Sequence, residues 1–435
     1  METPLLLKNY STPAVWEDFL KSQSDPQWLR QAREQAFASY NSLPWPSTSM
    51  EEWRRTNVSQ IAVEEFGYLG QPGKIPHPDE DAPAAMVEQY SGLIRFSGCD
   101  CEEIYLNTAL ADKGVIFTTL ADAARRYPTL VAQYFMHNVP PTLGKFEALQ
   151  ASLVSHGVFL YLPKFLEIGK PFAIIFQETG HRRLSCPQVL AVLAPGARCI
   201  LTQELSNLEA SDAVICNAVV SLYLSDAAGI KYISTQELNH QSFYFMNGCA
   251  TLGRDAQLHS LQANFGSALT KSRFGSILEQ PGAVAKLQGV YFAKGSQHFD
   301  LRTVQHHQVP FGKTDVLYKG VVKDQARTIY QGLIKVFPNA QKTDAYQSNK
   351  NLVLSETARA DSLPSLEIEA NDLRCTHGST VGKLDEQEVF YLMARGLPRL
   401  EAQKIIITGF FEEILGQIPE DIAEKWRSSI EKKLS

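Results

Sequence analysis

A long succession of short, strand-like segments occupies the middle of the chain, from about residue 157 to about residue 373. The segments are apolar or alternate between apolar and polar residues, and Gly, Asn, Asp or Ser usually separates them. No segment shows a clear helical moment, so the pattern predicts β-strands. The predicted strands are residues 158–162, 173–176, 189–193, 213–224, 230–233, 243–246, 257–262, 267–274, 284–292, 299–305, 316–322, 329–336 and 352–354. Such a succession restricts the fold to a sandwich, a barrel or a β-solenoid.

The segments between these strands favour the solenoid. Asn-Gly and Asp-Gly pairs, which are typical of two-residue hairpin turns, seldom separate the strands, and this disfavours a simple antiparallel meander. Paired polar and apolar segments of comparable length instead suit coils that stack, each burying its inward face on the next coil. We therefore predict a mainly β fold, with a parallel β-helix as its core and helical regions on both sides.

Residues 1–150 combine helical signals with irregular segments. Asp25 is predicted to cap a helix whose first position is Pro26. Thr119 and Asp122 form a capping box that opens another helix. We therefore expect a mixed, largely helical region in front of the strand-rich core.

After Asp385 the signals are those of helices. Asp385 is predicted to begin the first helix, and Gly396 is placed as the residue that follows its end. Two further helices are predicted to begin at Pro398 and Pro419. The predicted regions are residues 1–150 (helical and mixed), residues 151–374 (β-helix core) and residues 375–435 (helical).

Charge and composition disfavour several classes of function. The 435 residues carry a net charge of −6, which gives no electrostatic footprint for nucleic acid or an anionic membrane. No apolar run approaches the ~20 residues needed to span a bilayer. The N-terminus lacks the basic start and cleavage site of a signal peptide, and seven cysteines, an odd number, are typical of reduced thiols. We therefore expect a cytoplasmic protein.

A thiol and an imidazole stand two residues apart on the last predicted extended segment, at Cys375 and His377. Side chains alternate along a strand, so these two point to the same face. Both are good ligands for iron or zinc, but two protein ligands do not complete a four-coordinate site. A metal there would need further ligands from elsewhere. The alternative is a buried Cys beside a His that hydrogen-bonds a turn.

Two other pairs are weaker metal candidates. Cys99 and Cys101 form a Cys-x-Cys pair, but no second pair at a suitable spacing accompanies it. His306 and His307 are adjacent, and neighbouring residues of a strand face opposite ways, so at most one of them can join a given site.

Known catalytic motifs are absent from the sequence. Gly312-Lys313-Thr314 has the end of a nucleotide-binding P-loop, but His307 stands where its first glycine should be. The segment 378–383 has too few residues between its glycines, and Leu384 replaces the required Ser or Thr. Neither a Gly-x-Ser-x-Gly elbow nor a His-Glu-x-x-His motif is present. We therefore expect a chain that is not an enzyme and does not hydrolyse ATP unaided.

The C-terminal third carries motifs specific enough to indicate a family. They are Arg327-Thr-Ile-Tyr-Gln-Gly332-Leu-Ile-Lys-Val336, Lys342-Thr-Asp344-Ala-Tyr-Gln347-Ser-Asn-Lys-Asn351-Leu352, Pro364-Ser-Leu-Glu367-Ile368, Cys375-Thr-His377-Gly378 and Phe390-Tyr-Leu-x-x-Arg395-Gly396. With them, and with Glu52-Trp53-Arg54-Arg55-Thr56 near the N-terminus, the chain resembles the SufB/SufD family of the SUF machinery for iron–sulfur cluster assembly. Gly378 follows the motif His where the SufB branch typically has Glu, so the resemblance is to the SufD branch. Ser379 replaces the alanine usual in that branch.

The resemblance implies a fold, partners and a site. It implies a right-handed parallel β-helix flanked by helical regions, a SufB-like paralogue paired with it through the β-helices, and a SufC-like ABC ATPase bound to its C-terminal helices. A nascent Fe–S cluster would form transiently at the interface shared with SufB. His377 is then the leading metal ligand and Cys375 a weaker one. Two alternatives stay open: a purely architectural subunit, and a carbohydrate-active β-solenoid enzyme.

Overall fold

The computed structural model describes residues 13–59, 61, 65–68, 83–208 and 212–434. The sequence expectation about the N-terminus falls largely on residues 1–12, which lie outside the described residues. Among the described helices, none is long and apolar enough to cross a membrane.

The described chain runs from an N-terminal region of helices and short strands, through a strand-rich core, to C-terminal helices. The N-terminal elements are helices α1 (Pro13–Ser22), α2 (Gln27–Ser42), α3 (Ala84–Gln89), α4 (Thr108–Ala111), α5 (Leu120–Arg126), α6 (Pro128–Tyr134) and α7 (Lys145–Leu153), 3₁₀ turns Glu51–Trp53 and Pro141–Leu143, and strands β1 (Gly67–Tyr68), β2 (Gly92–Ser97), β3 (Asp100–Leu106) and β4 (Ile116–Thr119). The core strands are β5 (His156–Leu162), β6 (Phe172–Glu178), β7 (Arg183–Ser185), β8 (Pro187–Leu193), β9 (Arg198–Asn207), β10 (Val214–Leu224), β11 (Gly229–Glu237), β12 (Phe243–Leu252), β13 (Gln257–Asn264), β14 (Leu269–Leu278), β15 (Val284–Ala293), β16 (His298–His307), β17 (Lys313–Val322), β18 (Arg327–Val336), β19 (Asp344–Val353), β20 (Arg359–Ile368) and β21 (Arg374–Lys383). The C-terminal helices are α8 (Glu386–Ala394), α9 (Arg399–Leu415) and α10 (Glu420–Leu434).

The core is a β-solenoid of about eight turns within residues 156–383, which confirms the predicted fold class. Successive strands alternate between two sheets. Sheet A has the order β20-β18-β16-β14-β12-β10-β8-β5-β4, and sheet B the order β21-β19-β17-β15-β13-β11-β9-β6-β2-β3. Pairing between coils is parallel and in register: His298 lies opposite Arg327, and Arg327 lies opposite Arg359. Each coil therefore hydrogen-bonds to the coil before it and the coil after it.

The chain turns one corner of the solenoid through residues with positive φ, stacked coil upon coil. The amide of Phe165 donates to the carbonyl of Pro195, the residue before Gly196, and the amide of Gly196 donates to the carbonyl of Asp226, the residue before Ala227. The stacked positive-φ residues are Phe165, Gly196, Ala227, Asp255, Gly282, Phe311 and Lys342. Most are not glycine, although a left-handed conformation costs other residues about 1–2 kcal/mol. Coil-to-coil hydrogen bonds hold the turn in place of turn-specific residues.

The space between the two sheets changes character along the solenoid. Toward the N-terminal end it holds apolar side chains such as Leu160, Phe172 and Val189. Toward the C-terminal end it contains buried polar groups that pair with one another. Tyr291 Oη donates to Asn351 Oδ1 at 2.6 Å, and a second buried Asn side chain donates to the same tyrosine oxygen at 2.9 Å. Buried polar groups need such partners, so this end of the interior is organised by hydrogen bonds as well as by apolar packing.

The C-terminal helices pack on the outer face of sheet B. Phe292 on β15 joins Phe411, Ile414 and Trp426 of the helices in one buried cluster. Trp426 is 1 % exposed, and its Nε1 donates to Thr235 Oγ1 at 2.7 Å. The apolar side chains Ile422, Trp426 and Ile430 of α10 therefore face the solenoid of the same chain.

The predicted start and end of the first C-terminal helix are confirmed. Asp385 Oδ1 accepts a hydrogen bond from the Gln387 amide at 2.8 Å, and Gly396 has φ 93° just after the helix end. The domain division at residues 150 and 374 stays a prediction, although the change from strand to helix occurs between Lys383 and Glu386.

Some local predictions were wrong or incomplete. Asp25 does not cap α2, because its carboxylate forms an ion pair with Arg33 Nε at 2.6 Å. The sequence pattern did not predict the hairpin of β2 and β3, which pairs with the solenoid through β2 and β6. It also did not predict β9 and β20, which carry polar residues on both faces.

Replacing Trp426 by Ala should loosen the C-terminal helices. Removing a fully buried Trp costs about 3–5 kcal/mol through lost apolar contact and the cavity left behind. We expect the amides of α9 and α10 to exchange with solvent faster by that free energy, measured by native-state hydrogen exchange. Phe390→Ala is the control, because Phe390 is 72 % exposed and its loss should change protection by less than about 0.5 kcal/mol. Equal effects of the two substitutions would contradict the packing described here.

Candidate functional site

Cys375 and His377 lie on β21, the last strand of sheet B in the described chain. Cys375 is opposite Ala345 and His377 is opposite Gln347, two residues of β19 that are each 1 % exposed. Paired residues of neighbouring parallel strands point to the same face. Both side chains therefore project to the inner side of the solenoid, and the predicted sharing of one face is confirmed.

The two side chains differ in burial. Cys375 packs against a small apolar cluster near the C-terminal end of the solenoid, which includes Ile334, Val336 and Ala345. Burial raises the pKa of its thiol above the ordinary value, so the thiol is largely protonated near neutral pH. His377 is exposed, and none of the described residues forms a hydrogen bond with its ring. No described coil lies beyond β21 to cover it.

The site is incomplete as a metal centre. Within the described ranges, no three His, Cys, Asp or Glu residues are grouped closely enough to hold a metal ion. Cys375 and His377 together offer one sulfur and one nitrogen donor, whereas structural zinc and iron sites commonly use four protein ligands. This arrangement can bind a metal firmly only if another molecule adds donors.

The other metal candidates have different surroundings. Cys99 is buried in the turn between β2 and β3, and Cys101 is buried on β3. Burial raises the pKa of each thiol to about 12. His306 and His307 face opposite ways, as predicted. His307 is buried with Nε2 3.0 Å from Thr314 Oγ1, whereas His306 packs edge-on against the ring of Phe337.

The end of the solenoid that carries the site is open. β20 and β21 each pair with one strand and have no second partner among the described residues. Both strands are mostly exposed or half-buried along their length, unlike the strands before them. Unpaired strand edges readily add further strands. This end of the solenoid is therefore suited to pairing with another chain.

Exposed apolar side chains continue from this end onto the first two C-terminal helices. Phe390 is 72 % exposed, Tyr391 58 % and Ile405 51 %. We refer to Phe390, Tyr391, Met393, Leu400 and Ile405 as the helical apolar surface. Large exposed apolar side chains are common where a protein contacts another protein.

The segment Glu52–Thr56 fastens the N-terminal region to the outer face of sheet A. Thr56 Oγ1 donates to Asp300 Oδ2 at 2.5 Å, and Lys271 Nζ lies 2.6 Å from the same oxygen. Trp53 packs against Phe146 with the Lys271 ammonium 4.8 Å from its ring centre. Sequence analysis noted the motif but not these partners on β14 and β16, because nothing in the sequence pairs them with a segment more than two hundred residues away.

The structure is a β-solenoid with an open terminal coil, which carries a half-buried thiol and an exposed imidazole, and with exposed apolar side chains on its C-terminal helices. Residues 175–410 match the family described as SUF system FeS cluster assembly, SufBD core domain, and residues 16–174 match the SufBD protein N-terminal region. The chain therefore belongs to the SufBD family of iron–sulfur cluster assembly proteins, which confirms the resemblance inferred from its motifs.

Several curated proteins are similar over nearly the whole chain. The iron-sulfur cluster assembly protein SufD of Bacillus subtilis is 29 % identical over 438 residues, covering 97 % of this chain and 98 % of the relative. SufBD family proteins of Synechocystis and Staphylococcus saprophyticus are 24 % and 22 % identical, covering 93 % and 95 % of this chain and 91 % and 90 % of the relatives.

Cys375 should be the most reactive thiol of the folded protein. It is half-buried, whereas the other six cysteines are buried. We expect one thiol to react with iodoacetamide in native buffer, at a rate that rises with pH through neutrality and beyond, because the thiolate is the nucleophile and burial raises the Cys375 pKa. Cys375→Ser should abolish this fast reaction and Cys199→Ala should leave it intact, as judged by mass spectrometry. Rapid labelling of several thiols would contradict the structure.

Proposed function

We propose that this chain is a SufD-like, non-catalytic scaffold subunit. In this proposal it pairs with a SufB-like paralogue and binds a SufC-like ABC ATPase, and a nascent Fe–S cluster forms at the interface with the paralogue. The observation that carries the proposal is the exposed His377 ring, projecting from the inner face of an uncapped terminal coil. Family membership and the similarity to a curated SufD protein support the same role.

The SufB-like partner is proposed to cover the open end of the solenoid. Pairing there would satisfy the free edges of β20 and β21 and shield exposed apolar groups such as Val381, which is 47 % exposed. The same contact would bring donors from the partner to His377 and Cys375. Binding of one partner would then supply both the missing metal ligands and the missing strand partners of β20 and β21.

The ATPase is proposed to bind the helical apolar surface. This chain has no complete P-loop, so ATP hydrolysis requires another subunit. Only Leu384 and Asp385 separate the last strand from α8, the helix that bears Phe390 and Tyr391. Because this connection is so short, movement of the ATPase on these helices would be transmitted directly to the strand that carries His377.

In this proposal His377 binds iron and Cys375 is a secondary ligand. An imidazole binds a metal through the lone pair of an unprotonated ring nitrogen. If the subunit were purely architectural, both side chains would pack without binding metal. A carbohydrate-active enzyme of this fold would require acidic catalytic groups, for which the sequence shows no residue set.

Replacing His377 by Ala tests the ligand role. The variant is co-expressed with its SufB-like and SufC-like partners, and iron and sulfide are measured in the purified complex. We expect the cluster content to fall about tenfold or more, since even the groups that orient metal ligands change affinity by about 10–100-fold.

Thr376→Ala is the matched control, because Thr376 is exposed on the same strand and points to the opposite face. Its cluster content should equal that of the wild type. Normal loading of a fully assembled His377→Ala complex would reject the ligand role and favour the architectural alternative.

Replacing Phe390 by Asp tests the helical apolar surface. Burying a charge in an apolar interface should weaken binding of the ATPase by about 2 kcal/mol or more, roughly 30-fold in Kd, measured by titration with the purified ATPase. Phe165→Asp is the control, since Phe165 is 81 % exposed on a corner of the solenoid, away from α8 and α9. Loss of binding in both variants, or in neither, would argue against this docking surface.

A further inference from the structure

A ladder of basic side chains runs across the outer face of sheet B. Lys231 on β11 lies opposite His259 on β13, and His259 lies opposite Lys286 on β15. Neighbouring strands are about 4.8 Å apart, so three basic groups stack at that spacing. All three are half-buried. We call Lys231, His259 and Lys286 the basic ladder.

Basic groups elsewhere on the solenoid are commonly neutralised by a carboxylate one coil away. Lys271 pairs with Asp300, Arg327 with Asp361 and Arg374 with Asp344. The basic ladder follows this pattern at one end only. Asp315 on β17 lies opposite Lys286, whereas Lys231 lies between Ile200 on β9 and His259 and has no carboxylate opposite it.

The side chains that form hydrogen bonds with the ladder are uncharged. Lys286 Nζ donates to the uncharged Gln417 side chain at 2.7 Å, and His259 Nε2 lies 2.9 Å from Gln288 Oε1. Within the described residues, no carboxylate or other acceptor is hydrogen-bonded to the Lys231 ammonium. Burial, and then repulsion from Lys286, lowers the pKa of Lys231, so the ammonium lies in surroundings that disfavour its charge.

The ladder forms part of the wall of a groove of about 450 Å³. A fourth basic group, Arg198, lies at one side, and Ile168, Ile200 and Val284 contribute apolar surface. Among the described lining residues, Glu167 is the one carboxylate, and it is exposed. The groove is within the size range of small-molecule sites and carries an excess of positive charge.

We propose that this groove binds a phosphate-bearing small molecule, whose phosphoryl oxygens lie between the side chains of Lys231 and Lys286. A multivalent oxyanion accepts charge-assisted hydrogen bonds from both ammonium groups and replaces their repulsion by attraction. The apolar side of the groove suits a ligand with a body attached to its phosphate. This site is separate from Cys375 and His377, and the proposal holds whether or not those residues bind iron.

The test is calorimetric titration of the full-length protein with inorganic pyrophosphate at constant ionic strength. We expect saturable binding at one site per chain. Lys231→Met and Lys286→Met should each weaken it about tenfold or more, since a hydrogen bond to a charged group contributes about 1.5–3 kcal/mol. Lys113→Met removes the same charge from an exposed position outside the groove and should leave the affinity unchanged.

Lys231→Arg keeps the charge and should retain binding, which separates loss of the site from loss of fold; circular dichroism checks each variant. Absence of saturable binding to the wild type would overturn the proposal. Equal weakening by Lys113→Met would also overturn it, because the effect would then follow net charge. Tighter binding of a hexaglutamate peptide that displaces pyrophosphate would overturn it as well, by assigning the groove to an acidic protein segment.

Discussion

The hydrogen bonding of each coil to its two neighbours is the constraint on which the rest of this structure depends. Inside the stack, every strand is covered on both edges and its inward residues are covered by the coils on either side. This regularity removes the need for turn-specific residues, because the next coil holds residues such as Phe165 and Phe311 in a left-handed conformation. The same regularity cannot continue at the ends, where one edge and one layer of inward side chains lose their neighbours.

The two ends of the solenoid meet this constraint differently. At the N-terminal end, β4 and the β2–β3 hairpin add antiparallel pairings to the parallel sheets, and α7 packs nearby with seven buried residues. At the C-terminal end, no described element covers β20 or β21, and the helices that follow pack instead on the outer face of sheet B. The molecule thus closes one end with its own chain and leaves the other available for association.

Sequence patterns predicted those features that depend on local chemistry. The apolar run at the start of β12, the cap at Asp385 and the glycine at 396 follow from residues that act close to their own position in the chain. The contacts of Thr56 with Asp300 and of Trp426 with Thr235 join segments far apart in sequence, and no local pattern specifies them. Strand β20 was missed for a related reason: at the open end it has no buried face, so the alternation that reveals a strand is weak.

In the proposed function the metal donors lie on the last coil, where inward side chains are not covered by a further coil. In the interior, the Tyr291 hydroxyl is hydrogen-bonded to Asn349 and Asn351, and His307 contacts Thr314. A ligand buried there would have to break such bonds and lose its own hydration before it could bind metal. On the terminal coil, His377 points inward and still keeps both ring nitrogens free of the described residues. Because the His377 side chain points inward, it lies near the axis along which a second solenoid would stack. Because no described coil follows β21, the side chain is also accessible. The position of the imidazole is therefore a consequence of where the stack ends.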